Sequence, residues 1–73
     1  MYVFIWNDAD YVSDGYGERG GVVIVAASLD RAVGMARERG VVFLAGEAFA
    51  YRAIPVDGGA AEEFFIFPSG ERF

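Results

Sequence analysis

The stretch S-L-D-R-A-V-G-M-A-R-E-R-G, residues 28–40, decides how the rest of this chain is organised. Ser28 can cap the first turn of a helix, because its hydroxyl accepts a hydrogen bond from an otherwise unpaired amide. Gly40 can end the helix, since glycine readily adopts the left-handed conformation of the position after the C-cap. At the spacing i, i+3, i+4 and i+7, one apolar stripe is formed by Leu29, Ala32, Val33 and Ala36. The stretch therefore predicts one amphipathic helix.

Apolar and aromatic runs on both sides of this helix predict β-strands. The runs cover residues 2–6, 22–26, 41–45 and 62–67. Residues 47–54 are compatible with a strand or a short helix, and Pro55 ends either because it lacks an amide donor. A turn is expected at 68–70, followed by a tail over 71–73. The order β-β-α-β-(β)-β predicts a single α+β domain over residues 1–73, with a mainly antiparallel sheet of four to five strands packed on one helix.

A polar connection is predicted between the first two strands, over residues 7–21. Its turn signals are D-G at 14–15 and G-G at 20–21. Two placements stay open for Tyr11 and Val12, which either extend the first strand or begin a hairpin arm.

Several of the predicted strands are apolar on both faces. In residues 2–6 the aromatic side chains point to one face, while Val3 and Ile5 point to the other. One helix covers only part of one face, and each large apolar side chain left in water forgoes about 1.5–3 kcal/mol. We therefore expect the second face to meet another copy of the chain or a target, and a homodimer is the simplest solution.

The residue types on which most enzymes rely are missing from this chain. Its 73 residues include no cysteine and no histidine, and all six cationic residues are arginines. Thiolates, imidazole bases and Schiff-base lysines are therefore excluded. The three serines have no base nearby in sequence, and the adjacent Glu62 and Glu63 point to opposite faces of a strand. We expect a non-enzymatic protein with no cofactor and no metal.

Two patterns near the N-terminus resemble ligand-binding loops without meeting their requirements. G-Y-G-E-R-G at 15–20 matches G-x-G-x-x-G, but that fingerprint must open a helix, and here it leads into a strand. The run D-A-D-Y-V-S-D-G at 8–15 has alternating carboxylates, yet neither register supplies the ligands of a calcium loop. Both patterns are typical of an ordinary hairpin connection.

Acidic residues are concentrated near the two ends of the chain. The net charge is −5 and the pI about 4.4, which disfavours contact with nucleic-acid phosphates and acidic membranes and favours a basic protein surface. Tyrosine is a common interface anchor. The candidate partner-binding residues are Asp8, Asp10, Tyr11, Asp14, Tyr16, Glu18, Glu62 and Glu63. If the first and last strands lie close together, the two clusters form one acidic face. The alternative is a set of solvated turn residues whose charge serves solubility.

The expected location follows from the absence of targeting signals. No apolar run approaches the roughly twenty residues of a membrane span. The N-terminal run lacks the basic region and cleavage site of a signal peptide. We expect a cytoplasmic protein, in the host cytoplasm if it is encoded by a phage.

The chain resembles the small phage-encoded anti-defence proteins, including the anti-CRISPR proteins that imitate DNA. The resemblance lies in its size, its acidity, its lack of Cys and His, and the stretch W-N-D-A-D-Y-V-S-D-G-Y-G at 6–17. It implies a non-enzymatic inhibitor that occupies the basic groove of a host nuclease or surveillance complex. That group shares no sequence signature, so no residue role is carried over. Two alternatives are a small homo-oligomeric assembly protein that uses the apolar second face of its sheet, and a binder of a small ligand between helix and sheet.

Overall fold

The computed structural model describes residues 1–67 and shows a five-stranded antiparallel sheet with an α-helix on one side. The elements are β1 (Tyr2–Ser13), β2 (Tyr16–Ala26), α1 (Leu29–Glu38), β3 (Val41–Phe43), a 3-10 helix (Glu47–Phe49), β4 (Arg52–Pro55) and β5 (Glu63–Phe67). The predicted α+β class is confirmed. The turn expected at 68–70 and the tail expected at 71–73 lie outside the described residues.

β1 and β2 form a long hairpin at the centre of the sheet. Asp14 and Gly15 make its two-residue turn with positive φ angles of 51° and 84°, the backbone geometry that matches the twist of a hairpin. The prediction of a polar connection over residues 7–21 is therefore wrong, and Tyr11 and Val12 extend the first strand. Backbone pairing requires no apolar side chains, so a run with many polar residues still forms two strands here.

A β-bulge in β1, between Trp6 and Ala9, changes which residues face the helix. Before the bulge, Phe4 and Trp6 at even positions lie in the core, and after it Ala9 and Tyr11 at odd positions do. One inserted residue shifts the side-chain alternation by one and reverses the faces of everything that follows. Simple alternation from residue 2 onward consequently fails beyond residue 6.

Two short strands share the outer edge of β1, because β1 is longer than either of them. β4 pairs with residues 2–5 and β3 pairs with residues 11–13. Between them, the Asp10 amide donates to the Glu47 carboxylate at 3.1 Å, and the Asp10 carbonyl accepts from the Leu44 amide at 3.1 Å. β5 pairs with the other edge of β2, so the order across the sheet is β3 and β4, then β1, β2 and β5.

Residues 47–54 contain both of the structures that the sequence left open. The 3-10 helix occupies Glu47–Phe49, and β4 begins at Arg52. The indole Nε1 of Trp6 donates to the carbonyl of Ala48 at 3.1 Å, which holds the 3-10 helix on the same face of the sheet as α1. Pro55 is the last residue of β4, an edge strand, where a missing amide is tolerated.

The ends of α1 are formed as the sequence predicts. The Ser28 hydroxyl oxygen accepts a hydrogen bond from the Arg31 amide at 3.1 Å. Gly40 follows the C-cap residue Arg39 with a φ angle of 79°, in the left-handed region that favours glycine. Local sequence signals therefore determine where this helix begins and ends.

The core lies between α1 and one face of the central hairpin. From the predicted stripe, Ala32 and Ala36 are fully buried and Leu29 is partly buried. Met35 is also buried, although the predicted stripe did not contain it. The small alanines let the helix approach the sheet closely enough to cover large aromatic side chains such as Trp6.

We expect Gly40→Ala to lower the free energy of unfolding by about 1–2 kcal/mol, because an L-residue is strained at this φ angle. The added Cβ would also lie 2.9 Å from Oδ1 of Asp14, closer than real Cβ contacts come. Urea denaturation followed by circular dichroism measures the change. Gly34→Ala is the matched control, since its Cβ meets nothing within 4 Å and alanine favours a helix. Equal stability of the two variants would contradict this account.

Candidate functional site: the open face of the sheet

The sheet has one face covered by α1 and the 3-10 helix and an opposite face, the open face, on which neither helix lies. On the open face, the register of β1 with β2 places Val3 opposite Val25 and Ile5 opposite Val23. Pairing with β4 and β5 adds Ile54 beside Val3 and Phe65 beside Val23. These six side chains, which we term the apolar patch, are Val3, Ile5, Val23, Val25, Ile54 and Phe65.

The apolar patch is partly exposed to solvent. Ile54 and Phe65, on the two edge strands, are each 47% exposed, while Val3, Ile5 and Val23 are intermediate. Val25 is 8% exposed, yet it does not belong to the hydrophobic core cluster. Its neighbours on the open face therefore shield it. The expectation of strands that are apolar on both faces holds for the centre of this sheet.

At the end of the open face nearest the hairpin turn, two of the predicted acidic residues are held by an arginine. Arg19 lies 3.2 Å from Asp8 and 3.1 Å from Asp10, measured from guanidinium nitrogen to carboxylate oxygen. The hairpin register creates this arrangement, because Asp10 is directly opposite Arg19. The pKa of the Arg19 guanidinium is raised by the charges of Asp10 and Asp8. Arg19 therefore offsets one of these two carboxylate charges, and Asp14 and Glu18 add to the negative charge that remains at this end.

The hairpin turn presents other members of the predicted acidic cluster. Asp14 is exposed in the turn, and Tyr16 is 74% exposed at the start of β2. Glu18 is half-buried on the helix side of the sheet, opposite Tyr11. Tyr11 itself is fully buried in the core, so its assignment to a partner-binding surface is wrong. The bulge is the reason, since it turns Tyr11 toward the helix.

Glu62 and Glu63 have different environments. Glu62 accepts two hydrogen bonds from Arg31 of α1, at 2.9 and 3.0 Å, and these bonds lower the pKa of its carboxyl group. Arg31 also lies 3.2 Å from Glu38, so it links the helix to the segment that leads into β5. Glu63 is exposed on the open face, opposite Val25. Glu62 therefore makes an internal contact, whereas Glu63 belongs to the exposed surface.

The expectation that the two acidic clusters form one face is not met. β1 and β5 are separated by β2. Asp10 of the first cluster is opposite Arg19 of β2, and Glu63 is opposite Val25 of β2. These two positions on β2 are six residues apart. At about 3.3 Å per residue this is a separation of roughly 20 Å. The apolar patch, rather than acidic residues, occupies the space between them.

The buried hydroxyl of Tyr11 has no hydrogen-bond partner within the described part of the chain. Burial raises the pKa of this phenol, and the charge of Glu18 raises it further. A raised pKa in the folded state stabilises the fold fully at pH values below the ordinary phenol pKa. That contribution is lost as the pH rises through the folded pKa.

We therefore expect Tyr11→Phe to keep or raise stability at neutral pH, by up to about 1 kcal/mol, because it removes an unsatisfied buried group. We also expect it to reduce the loss of stability above pH 10. Thermal denaturation from pH 7 to 11 measures both effects, with Tyr16→Phe as the exposed control. A destabilisation of 2 kcal/mol or more at pH 7 would show that the hydroxyl makes a favourable contact.

A groove lies on the helix side of the sheet. It runs between α1 and the 3-10 helix and is lined by Leu29, Asp30, Val33, Gly34, Arg37, Ala48 and Phe49. One carboxylate and one guanidinium among apolar residues do not form a nucleophile–base pair or a pair of carboxylates. The groove therefore offers no arrangement for acid–base or nucleophilic catalysis.

Sequence reasoning missed Arg52 and Ile54 as residues of the open face. Both lie on β4, in the segment whose secondary structure was ambiguous. The alternation of side chains through residues 51–54 was the available signal. Pairing with β1 shows that Arg52 and Ile54 are the members that lie on the open face. Within residues 1–67, no helix is long and apolar enough to cross a membrane, and no group of three or more acidic side chains is arranged to hold a metal ion.

No protein-family model matches this chain, and neither a curated protein nor a solved structure gives a significant match.

Proposed function

We propose that this protein is a small, non-enzymatic assembly protein that associates with itself through the open face of its sheet. The observation that supports this proposal is the apolar patch, which spans four neighbouring strands opposite the helix. Ordinary monomers scatter their exposed apolar residues, whereas a contiguous apolar surface is typical of an interaction site. A second sheet packed on this face would complete a sandwich whose inner faces are both apolar.

The small size of the chain limits the stability of a single copy. A domain of about 70 residues buries only about 60% of its unfolded surface, so its own core supplies little stability. Among residues 1–67, the fully buried large side chains are few and lie on the helix side of the sheet. Burying the open face would contribute about 25 cal/mol of favourable free energy for each Å² of apolar surface removed from water. Self-association would thereby stabilise the fold and remove the apolar patch from water.

The test is the molar mass in solution, measured by light scattering during size-exclusion chromatography over a range of concentrations. The chain has a mass of 7.9 kDa, and we expect twice that value or a larger multiple. Because association stabilises the folded state by mass action, the melting temperature should rise with protein concentration. A monomer at all concentrations, with a constant melting temperature, would overturn the proposal.

The second candidate function is an acidic protein-binding inhibitor of the anti-CRISPR-like kind. The exposed Tyr16 beside Asp14 at the hairpin turn favours it, because an aromatic anchor among carboxylates suits a basic groove. The internal pairing of Asp8, Asp10 and Glu62 with arginines makes it the weaker candidate. A pull-down from host lysate at low and high salt tests it, with Asp14→Asn as the charge-removal variant. Salt-insensitive capture, unchanged in the variant, would contradict it.

A further inference from the structure

We propose that two copies of this chain pack their open faces together about a two-fold axis parallel to the strands, with Arg52 of each copy beside Glu63 of the other. This inference rests on the proposed self-association. It adds the orientation of the two copies and the charged residues that determine it.

Arg52 and Glu63 frame the apolar patch from opposite edges of the sheet. Arg52 on β4 is paired with Ile5, and Glu63 on β5 is paired with Val25, so both side chains lie on the open face. Both residues are exposed. Neither takes part in an ion pair among residues 1–67. Arg52 and Glu63 therefore carry opposite charges on one face, and both charges are available to an external partner as far as residues 1–67 are concerned.

The direction of the two-fold axis decides which charges meet. An axis parallel to the strands exchanges the two edges of the sheet, so β4 of one copy lies over β5 of the other. Arg52 and Glu63 of different copies are then offset by about one side-chain spacing on a face, or about 7 Å. An axis across the strands instead keeps each edge over itself and brings Arg52 of one copy near Arg52 of the other. Complementary charge therefore favours the first arrangement.

A second pair of charges supports the same axis. Asp10 on β1 and Arg19 on β2 are opposite each other on the open face, one on each side of the centre of the hairpin. The two-fold axis along the strands exchanges β1 and β2. Asp10 of one copy then lies over Arg19 of the other, and the internal ion pair becomes part of a network of four charges. Networks contribute more than isolated surface pairs.

The area of the open face is adequate for such a dimer. Strands β1 to β5 contain 12, 11, 3, 4 and 5 residues, 35 in all. At about 4.8 by 3.3 Å for each residue, the face measures roughly 550 Å². Two faces together bury roughly 1,100 Å², just above the roughly 1,000 Å² expected of a specific interface. The sheet-on-sheet arrangement has the aligned geometry of known sandwiches.

Charge reversal tests the pairing. We expect Arg52→Glu and Glu63→Arg each to weaken the dimer about tenfold, because both symmetry-related pairs become repulsive. The double variant, with the charges exchanged, should return to within about twofold of the wild-type dissociation constant. Arg37→Glu, on α1 and away from the open face, is the control with the same charge change as Arg52→Glu. Sedimentation equilibrium measures the dissociation constants of the wild type and of all four variants.

Cross-linking tests the axis directly, because the natural chain has no cysteine. Arg52→Cys and Glu63→Cys proteins are treated with a short bis-maleimide, separately and as a mixture. We expect a cross-linked dimer from the mixture and little from either protein alone. Efficient cross-linking of Arg52→Cys alone would show the axis across the strands and overturn the inference.

The two proposals fail in different ways. A wild-type protein that is monomeric overturns the proposed function and this inference with it. A wild-type dimer whose dissociation constant is unchanged by charge reversal, or is not restored in the double variant, overturns the inference alone. In that case the open face still associates, but with another orientation.

Discussion

Trp6→Ala is expected to lower the free energy of unfolding by about 3–5 kcal/mol, the range for removing a large buried aromatic side chain. Trp6 is fully buried, and its ring stacks on Phe43 with centroids 4.8 Å apart. Its Nε1 also donates to the carbonyl of Ala48, which ties the 3-10 helix to the sheet. A small domain has only about 5 kcal/mol or slightly more in total. The variant should therefore be largely unfolded at 25 °C.

Urea denaturation followed by far-UV circular dichroism measures this effect, because the substitution removes the tryptophan fluorescence. All variants are compared at one protein concentration, since self-association would change the apparent stability. Trp6→Phe is the control that keeps an aromatic ring and loses the indole hydrogen bond, and we expect a smaller loss of about 1–2 kcal/mol. A Trp6→Ala protein with an unchanged urea midpoint would show that this side chain does not organise the core.

Ile54→Glu is expected to dissociate the assembly while leaving the monomer folded. Ile54 is 47% exposed on an edge strand, so a glutamate there costs the isolated chain little. In a dimer the same carboxylate would be buried against an apolar surface, and removing an unpaired charge from water costs several kcal/mol. With the axis proposed above it would also lie over Glu63 of the second copy. We expect the dissociation constant to rise at least 100-fold.

Phe49→Glu is the matched control for Ile54→Glu. It introduces the same charge at an apolar residue that is 77% exposed, but on the helix side of the molecule. Light scattering during chromatography should then give the monomer mass for Ile54→Glu and the wild-type mass for Phe49→Glu. If instead Phe49→Glu alone dissociates the assembly, the interface lies on the helix side.

Local signals account for the parts of the fold that the sequence predicts correctly. The Ser28 cap, the glycine at position 40 and the stripe between them act within a few residues of one another. The run at 22–26 is a strand because apolar, mostly β-branched side chains suit a half-buried pleated surface. The two-face character of the first strand was also visible from alternation alone.

The bulge before Ala9 could not be predicted from local patterns. It is a mismatch between two strands, and it exists only once β1 and β2 have found their register. Its consequence reaches the candidate site, because it buries Tyr11 and directs Asp10 to Arg19. In the acidic stretch that contains Tyr11, the tyrosine is therefore part of the core, and Asp10 forms an internal ion pair.

The sequence by itself determined the α+β class, the helix with both its ends, and the presence of more apolar strand surface than one helix can cover. Tertiary structure alone decided which side chains form the open face, that Asp10 and Glu63 lie at opposite ends of it, and that Arg52 and Glu63 lie on its two edges. The physical reason is range. Caps and periodicity act between residues a few positions apart, whereas this face of the sheet brings together residues as distant in the chain as Val3 and Phe65.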